Sequence, residues 1–285
     1  MNTFTFVKTK QKEWAKRKGI ELQGSKKERG EKVYTRELAN NLFQGISETT
    51  KKEISSGDGN EFGNGVNPGK MQALHSSSAL GVNVFEYWKT NKRFSIIAKA
   101  LQISTVGIRN IVFERKFEIL KDSQKHPNID VVFEYEGDKV MGIECKYTEP
   151  FQSRVNQNGL KEKYINDFEF WNEFPSLKKI AQRISPKDKD NEFKYLHCAQ
   201  LIKHVLGMYS KSKSKDKFGL FYLYQPAFFE NNEKYGEEIS NLTKALDEDG
   251  VKVKWLTWQE LLARLIQNHG KEDQFYIEYL TERYL

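Results

Sequence analysis

Apolar positions recur every three to four residues over 6–18, with Trp14 as an anchor. They recur again over 33–54, where Leu38, Leu42 and Phe43 share a face, and both stretches predict helices. Residues 19–32 between them are rich in Lys, Gly and Glu and predict a loop. Residues 55–70, SSGDGNEFGNGVNPGK, are dense in Gly and Asn and predict irregular chain. Ser76, Ser77 and Ser78 offer N-cap hydroxyls ahead of an apolar run, so a helix is expected to about residue 90. Phe94, Ile97, Ala98 and Leu101 share the face of a second helix over 93–102.

The hydrophobic period then drops to two. Residues 111–120 alternate as a strand, and 128–147 read as a hairpin turning at 136–138. Helical patterns follow over 160–184 and 193–209. The aromatic run at 218–226 suits a buried strand. A helix over 234–250 ends at Gly250, and a last strand at 251–258 leads into a closing helix. From residue 76 this order predicts an α/β core with a mixed sheet, so 76–285 form the core domain. Residues 1–75 do not fit the pattern and are expected to be a helical, loop-rich N-terminal extension. No internal repeat is present.

The hairpin carries the candidate chemistry. Side chains two apart on a strand point the same way. Ile129, Val131, Phe133 and Tyr135 make one apolar face, matched by Ile143, Cys145 and Tyr147 on the next strand. Asp130, Glu144 and Lys146 then fall together on the side turned away from that core. Two converging carboxylates are a hard-oxygen site suited to Mg²⁺, with Mn²⁺ able to substitute. Such an ion can activate water and offset charge on a phosphoryl group, and Lys146 adds a point cation beside it. Solvated charges on an exposed strand would explain the same residues. Against that, Glu144 and Lys146 interrupt an apolar stretch formed by Val140, Met141, Ile143 and Cys145.

Other chemistries drop out. The chain has no HExxH, paired CxxC or GxSxG motif, and its glycines match neither GxGxxG nor a phosphate loop. The five histidines are scattered, and His197 and His204 read as structural for want of a nearby acid. Cys145 points into the expected core and is a poor nucleophile. Two cysteines exclude a disulfide framework. No apolar run approaches the roughly 18 residues a membrane span needs, and the N-terminus lacks an apolar leader core, so a cytoplasmic protein without a membrane partner is expected.

Charge points to a polyanionic partner. The chain carries +7 at a pI near 9.1. Residues 1–36 hold eleven Lys/Arg against four Asp/Glu, a surplus equal to that of the whole chain, and KSKSKDK at 211–217 is a second cluster. Both could neutralise nucleic-acid phosphates.

Pro127-Asn-Ile-Asp130, thirteen intervening residues and Glu144-Cys-Lys146 resemble the P-D…(D/E)-x-K signature of the PD-(D/E)XK nucleases, which include restriction endonucleases. Pro and Asp are not adjacent here, as in many relatives. FEIL at 117–120, KYTEPF at 146–151, GDGNEF at 57–62 and HSSSAL at 75–80 are similar to a restriction-endonuclease branch, so the likeness spans roughly 55–285. The resemblance implies a restriction-endonuclease-like core, Asp130 and Glu144 as ligands of Mg²⁺, and Lys146 beside them in catalysis. It also implies a further acid from upstream and a Gln or His from a later helix. Glu61 in the Gly-rich loop is the first choice as a third metal ligand, with Glu86, Glu114, Glu118 and Gln200 as other candidates. The implied activity is hydrolysis of double-stranded DNA. A palindromic target would imply a homodimer, and a restriction role a cognate DNA methyltransferase. The competing functions are a repair, structure-specific or RNA nuclease of the same fold, and a non-catalytic DNA-binding module.

Overall fold

Helix α1 (Thr3–Arg17) starts at Asn2, whose side chain accepts the Thr5 N–H at 2.8 Å. The computed structural model describes all residues except Met1, Lys27, Asp58, Gly65, 121–125, 152–158, Asp167, Phe168, 185–191, Ala227 and 229–231. A small hairpin of β1 (Leu22–Gly24) and β2 (Lys32–Thr35) stands where composition predicts a loop. The helix expected over 33–54 also differs. The chain makes β2, a 3-10 turn at Leu38–Asn41, and only then α2 (Glu48–Ser55). Gln44 and Gly45 take positive φ and break the helical path. Ser47 restarts it by accepting the Thr50 N–H at 3.2 Å.

Helices α3 (Ser77–Thr90) and α4 (Phe94–Leu101) form as the pattern predicts. The central sheet is built from β3 (Ile108–Lys116), β4 (Asn128–Tyr135), β5 (Val140–Lys146), β6 (Phe218–Tyr224) and β7 (Val253–Thr257), in that spatial order. The first three strands pair antiparallel, and β5, β6 and β7 pair parallel. Parallel neighbours need crossovers, here α5 (Pro175–Arg183) with α6 (Cys198–Ser212), and then α7 (Asn232–Glu248). Helix α5 begins later than the periodicity suggests. Pro175 sits at its first position, where the missing N–H costs nothing, and the chain before it makes short 3-10 turns. Helices α8 (Trp258–Asn268) and α9 (Gln274–Tyr284) close the chain. The result is an α/β fold with a mixed five-stranded sheet flanked by helices, consistent with a restriction-endonuclease-like core.

Both sheet faces are covered. Phe113, Val131, Phe133, Ile143 and Leu223 share a cluster with Phe85 and Trp88 of α3, Leu101 of α4, Leu265 of α8 and Leu280 of α9. Val7, Leu42, Ile54 and Met71 from the N-terminal part belong to it too. On the other face Val132, Leu220 and Tyr222 join Leu177 of α5, Val205 and Met208 of α6 and Leu246 of α7. Two glycines let α6 sit close to the sheet. A Cβ on Gly142 would lie 3.1 Å from Met208 Sδ, and one on Gly207 would lie 2.8 Å from Phe117 Cβ.

Candidate active site

Strands β4 and β5 stay paired only as far as Val131 and Ile143. Past that point Glu144, Cys145 and Lys146 keep their pairing to β6 and leave β4. The Cys145 N–H donates instead to Asp130 Oδ2 at 2.7 Å. On β3, Glu114 has φ of 50°, a conformation non-glycine residues rarely adopt. It lies between the pairs Phe113–Val131 and Arg115–Ile129, and so opposite Asp130. Around this irregularity the alternation fails. Ile129 packs in the same cluster as Val132, while Val131 packs in the other. Asp130 lines a small cavity with Glu114, Cys145 and the first-turn serines Ser77 and Ser78 of α3.

The face carrying Glu144 and Lys146 is not turned away from core, as alternation alone suggests. Glu144 is 0 % exposed and Lys146 8 %, because α6 covers them. Lys146 Nζ donates to Glu144 Oε1 at 2.5 Å and to Gln200 Oε1 at 3.1 Å. His204 Nε2 lies 2.8 Å from Glu144 Oε2, so Nε2 carries the proton when Glu144 is ionised. His204 therefore has the acidic partner that its sequence neighbourhood lacks. Gln200 and His204 are four apart on α6, a spacing that brings two side chains to one helix face. The Lys146 carbonyl accepts from Trp258 Nε1 at 2.8 Å and from the Gln225 N–H at 3.1 Å, which fixes the end of β5.

Charge is unevenly shared among these groups. Burial pushes the Glu144 carboxyl up, but Lys146 and His204 outweigh it and hold it below the usual carboxylate range. Lys146 is held above its ordinary value, since Glu144, Asp130 and Glu149 together outweigh its burial. Asp130 goes the other way: burial and the Glu144 charge raise it well above normal. Glu114 is pushed up to about 7 by burial, then by Glu144 and Glu61. Glu61 is 9 % exposed, its Oε2 is buried and has no hydrogen-bond partner among the described residues, and its Oε1 lies 3.8 Å from Lys70 Nζ. Glu149, which sequence reasoning passed over, is locked by Ser77 Oγ and by the Tyr147 and Thr148 N–H groups. Glu61, Lys70, Ser77 and Glu149 line a cavity of about 330 Å³ beside the site.

The remaining candidates lie elsewhere. Glu86 accepts the Ser47 N–H at 3.0 Å and the Thr50 hydroxyl at 2.7 Å, so it braces the start of α2. Glu118 is exposed beyond the end of β3. Among the described residues no three Asp, Glu, His or Cys side chains already converge as an ion cage. The donor chemistry nevertheless fits a hard divalent cation. Several carboxylates crowd together, two of them resist ionising, and one buried oxygen has no hydrogen-bond partner among the described residues. Among the described residues no helix is long and apolar enough to cross a membrane.

The crowding makes stability depend on pH. In the folded chain Glu114 keeps its proton to about pH 7, whereas the unfolded chain releases it near pH ~4.3. The folded state binds more protons in that window, so with EDTA present stability should fall as pH rises through it. Glu114→Gln should melt above wild type at pH 8 and lose much of this slope. Identical melting profiles for the two proteins between pH 5 and pH 8 would contradict the placement of Glu114.

A family model described as Restriction Endonuclease associating with ARP matches residues 8–285. No curated protein and no solved structure matches the chain.

Proposed function

The chain belongs to the family Restriction Endonuclease associating with ARP, and from that premise we propose that it is a metal-dependent endonuclease of the PD-(D/E)XK type that hydrolyses double-stranded DNA. The observation that carries this is the buried Glu144–Lys146 pair, gripped by α6 and set beside Asp130, Glu114 and Glu61. Asp130, Glu144 and Glu61 would hold Mg²⁺ or Mn²⁺, with Glu114 close by. Such an ion supplies positive charge against the charge that builds on the attacked phosphate.

The chain's own groups divide the remaining work. Glu144 is held in one orientation by Lys146 on one oxygen and His204 on the other, and each oxygen keeps a lone pair for a ligand. Among the described residues Asp130 uses only Oδ2, for the Cys145 N–H, which leaves Oδ1 available. An ammonium has three donors, and Lys146 spends two on Glu144 and Gln200. Its third hydrogen can orient the attacking water or stabilise a non-bridging phosphate oxygen. Gln200 is a positioning residue that aims Lys146. The close cover of α6 keeps bulk water from this pair and so strengthens each of these interactions.

Cation binding can be read without cleavage. Melting with saturating Mn²⁺ or Mg²⁺ should exceed melting in EDTA by several degrees, since a ligand at about 100 times its Kd adds roughly 2.7 kcal/mol. Asp130→Asn should lose the shift while folding normally. No shift in the wild type with either ion would remove the metal from the proposal.

The basic segments contribute less free charge than their composition suggests. Lys8 pairs with Glu28 and Glu31, Lys12 with Glu31, Lys18 with Glu282 and Arg36 with Glu21. In the second cluster Lys215 pairs with Glu173, and Lys213 lies over the Phe170 ring at 4.1 Å.

A further inference from the structure

Strands β5 and β6 are parallel and in register, so residues that pair across them carry their side chains on one face of the sheet. Glu144 pairs with Tyr222, and Lys146 with Tyr224. Tyr222 and Tyr224 pack into the cluster that α6 and α7 form on this face. Lys146 and Tyr224 are the last residues of their strands, and ligands of open α/β sheets meet the carboxyl ends of parallel strands. Tyr224 therefore stands one strand, about 4.8 Å, from Lys146 and presents its side chain on the same side.

Its aromatic neighbours are spent on the fold. Tyr222 is 1 % exposed and Tyr235 of α7 is 3 %, and the Tyr235 hydroxyl donates to that of Tyr222 at 2.9 Å. Tyr224 packs against both, its ring centre 5.9 Å from that of Tyr222 and 5.5 Å from that of Tyr235, yet it is only half-buried. Among the described residues its hydroxyl makes no hydrogen bond, and it reaches solvent. Many tyrosines bury the ring and keep the tip wet. What sets Tyr224 apart is its register with Lys146. A ring held between two others aims an unspent donor beside the group proposed to meet the attacked phosphate, and little side-chain freedom remains to be lost on binding.

We infer that Tyr224 is a substrate-binding residue whose hydroxyl donates to a backbone phosphate oxygen of the DNA strand held at Glu144 and Lys146. The inference rests on the nuclease function proposed above. A neutral donor grips the phosphate without adding charge around Glu144. Its hold is the same before and during attack, so it contributes to binding rather than to the chemical step.

The test is Tyr224→Phe, which keeps the ring and removes the hydroxyl alone. Equilibrium binding of a short fluorescent DNA duplex in EDTA should weaken about tenfold, since a hydrogen bond to a charged group is lost. The slope of log K against log salt should stay at the wild-type value, because no cation leaves the interface. In Mg²⁺, KM for plasmid DNA should rise about tenfold at an unchanged kcat. Melting should match wild type, since among the described residues the hydroxyl bonds to nothing. Tyr235→Phe is the structural control: it breaks the buried bond to Tyr222 and should melt lower while binding DNA as wild type does. Wild-type affinity and KM in Tyr224→Phe would overturn the inference while leaving the nuclease function standing. So would a lower kcat at unchanged affinity, which would mean that the hydroxyl acts through Lys146 rather than on bound DNA. A wild-type protein that neither binds the duplex nor cuts plasmid would sink the inference together with the DNA-directed function beneath it.

Discussion

Glu144→Gln is expected to lower metal-dependent cleavage by at least about a thousandfold while leaving DNA binding in EDTA close to wild type. The substitution keeps the shape of the side chain and removes only its charge. Three functions depend on that charge: holding the cation, aligning Lys146 at 2.5 Å, and accepting the His204 Nε2 proton at 2.8 Å. A thousandfold loss corresponds to about 4 kcal/mol of transition-state stabilisation, a usual cost when a preorganised charge is removed from a water-poor site. The fold should survive. Lys146 does not lose every counter-charge, since Asp130 and Glu149 also act on it. Binding should hold or strengthen slightly, because one negative charge leaves the DNA-facing side. Cleavage by Glu144→Gln within tenfold of wild type would mean that the catalytic pair lies elsewhere.

Arg283→Met is expected to produce the largest loss of stability, roughly 3–5 kcal/mol, with a fall in Tm on the order of 10 °C. Arg283 on α9 is 0 % exposed, yet its side-chain hydrogen bonds run to neutral groups. Nε donates to Gln11 Oε1 at 3.0 Å, Nη1 to the Asn41 carbonyl at 2.8 Å and to the Tyr279 hydroxyl at 2.6 Å, and Nη2 to Asn41 Oδ1 at 2.5 Å. Its guanidinium carbon stands 4.0 Å from the centre of the Trp14 ring. One residue thus ties α1, the Leu38–Asn41 turn and α9 together. Methionine fills much of the volume but strands the acceptors on Gln11 and Asn41. Arg283→Lys should rescue little, because a single ammonium cannot reproduce the planar fork. Urea unfolding measures the loss, and a change below about 1 kcal/mol would contradict this role.

The core was legible where local pattern and tertiary packing agree. Alternation placed the β4–β5 hairpin and its turn, and the unbroken aromatic run marked β6 as a strand buried on both faces. The spacing from Asp130 to Glu144 and Lys146 singled out the residues that now sit at the splayed end of β5. Nothing in the sequence announces the positive φ of Glu114, which breaks the alternation around Asp130. Nor does alternation tell a solvated polar face from one covered by a helix. That α6 seals Glu144 depends on its close approach to Gly142 and Gly207, which only the packed structure reveals. His204 was passed over because its acid lies 60 residues away in the chain, although its spacing from Gln200 was a usable signal. In the N-terminal part, Leu38, Leu42 and Phe43 mimic a helical face. Their burial is instead produced by a turn and an extended segment pressed onto the core and α9.

The basic N-terminus shows the limit of counting charge. Lys8, Lys12 and Lys18 there are answered by acids nearby. Net charge supports a polyanionic partner in general, but location decides which cations are free to meet it.

The most direct measurement is incubation of the purified wild-type protein with supercoiled plasmid in Mg²⁺, in Mn²⁺ and in EDTA. Conversion to nicked, linear or discretely cut DNA with either ion, abolished by EDTA, is the predicted result. Plasmid left intact with both ions, or cut equally well in EDTA, would contradict a metal-dependent endonuclease centred on Asp130, Glu144 and Lys146.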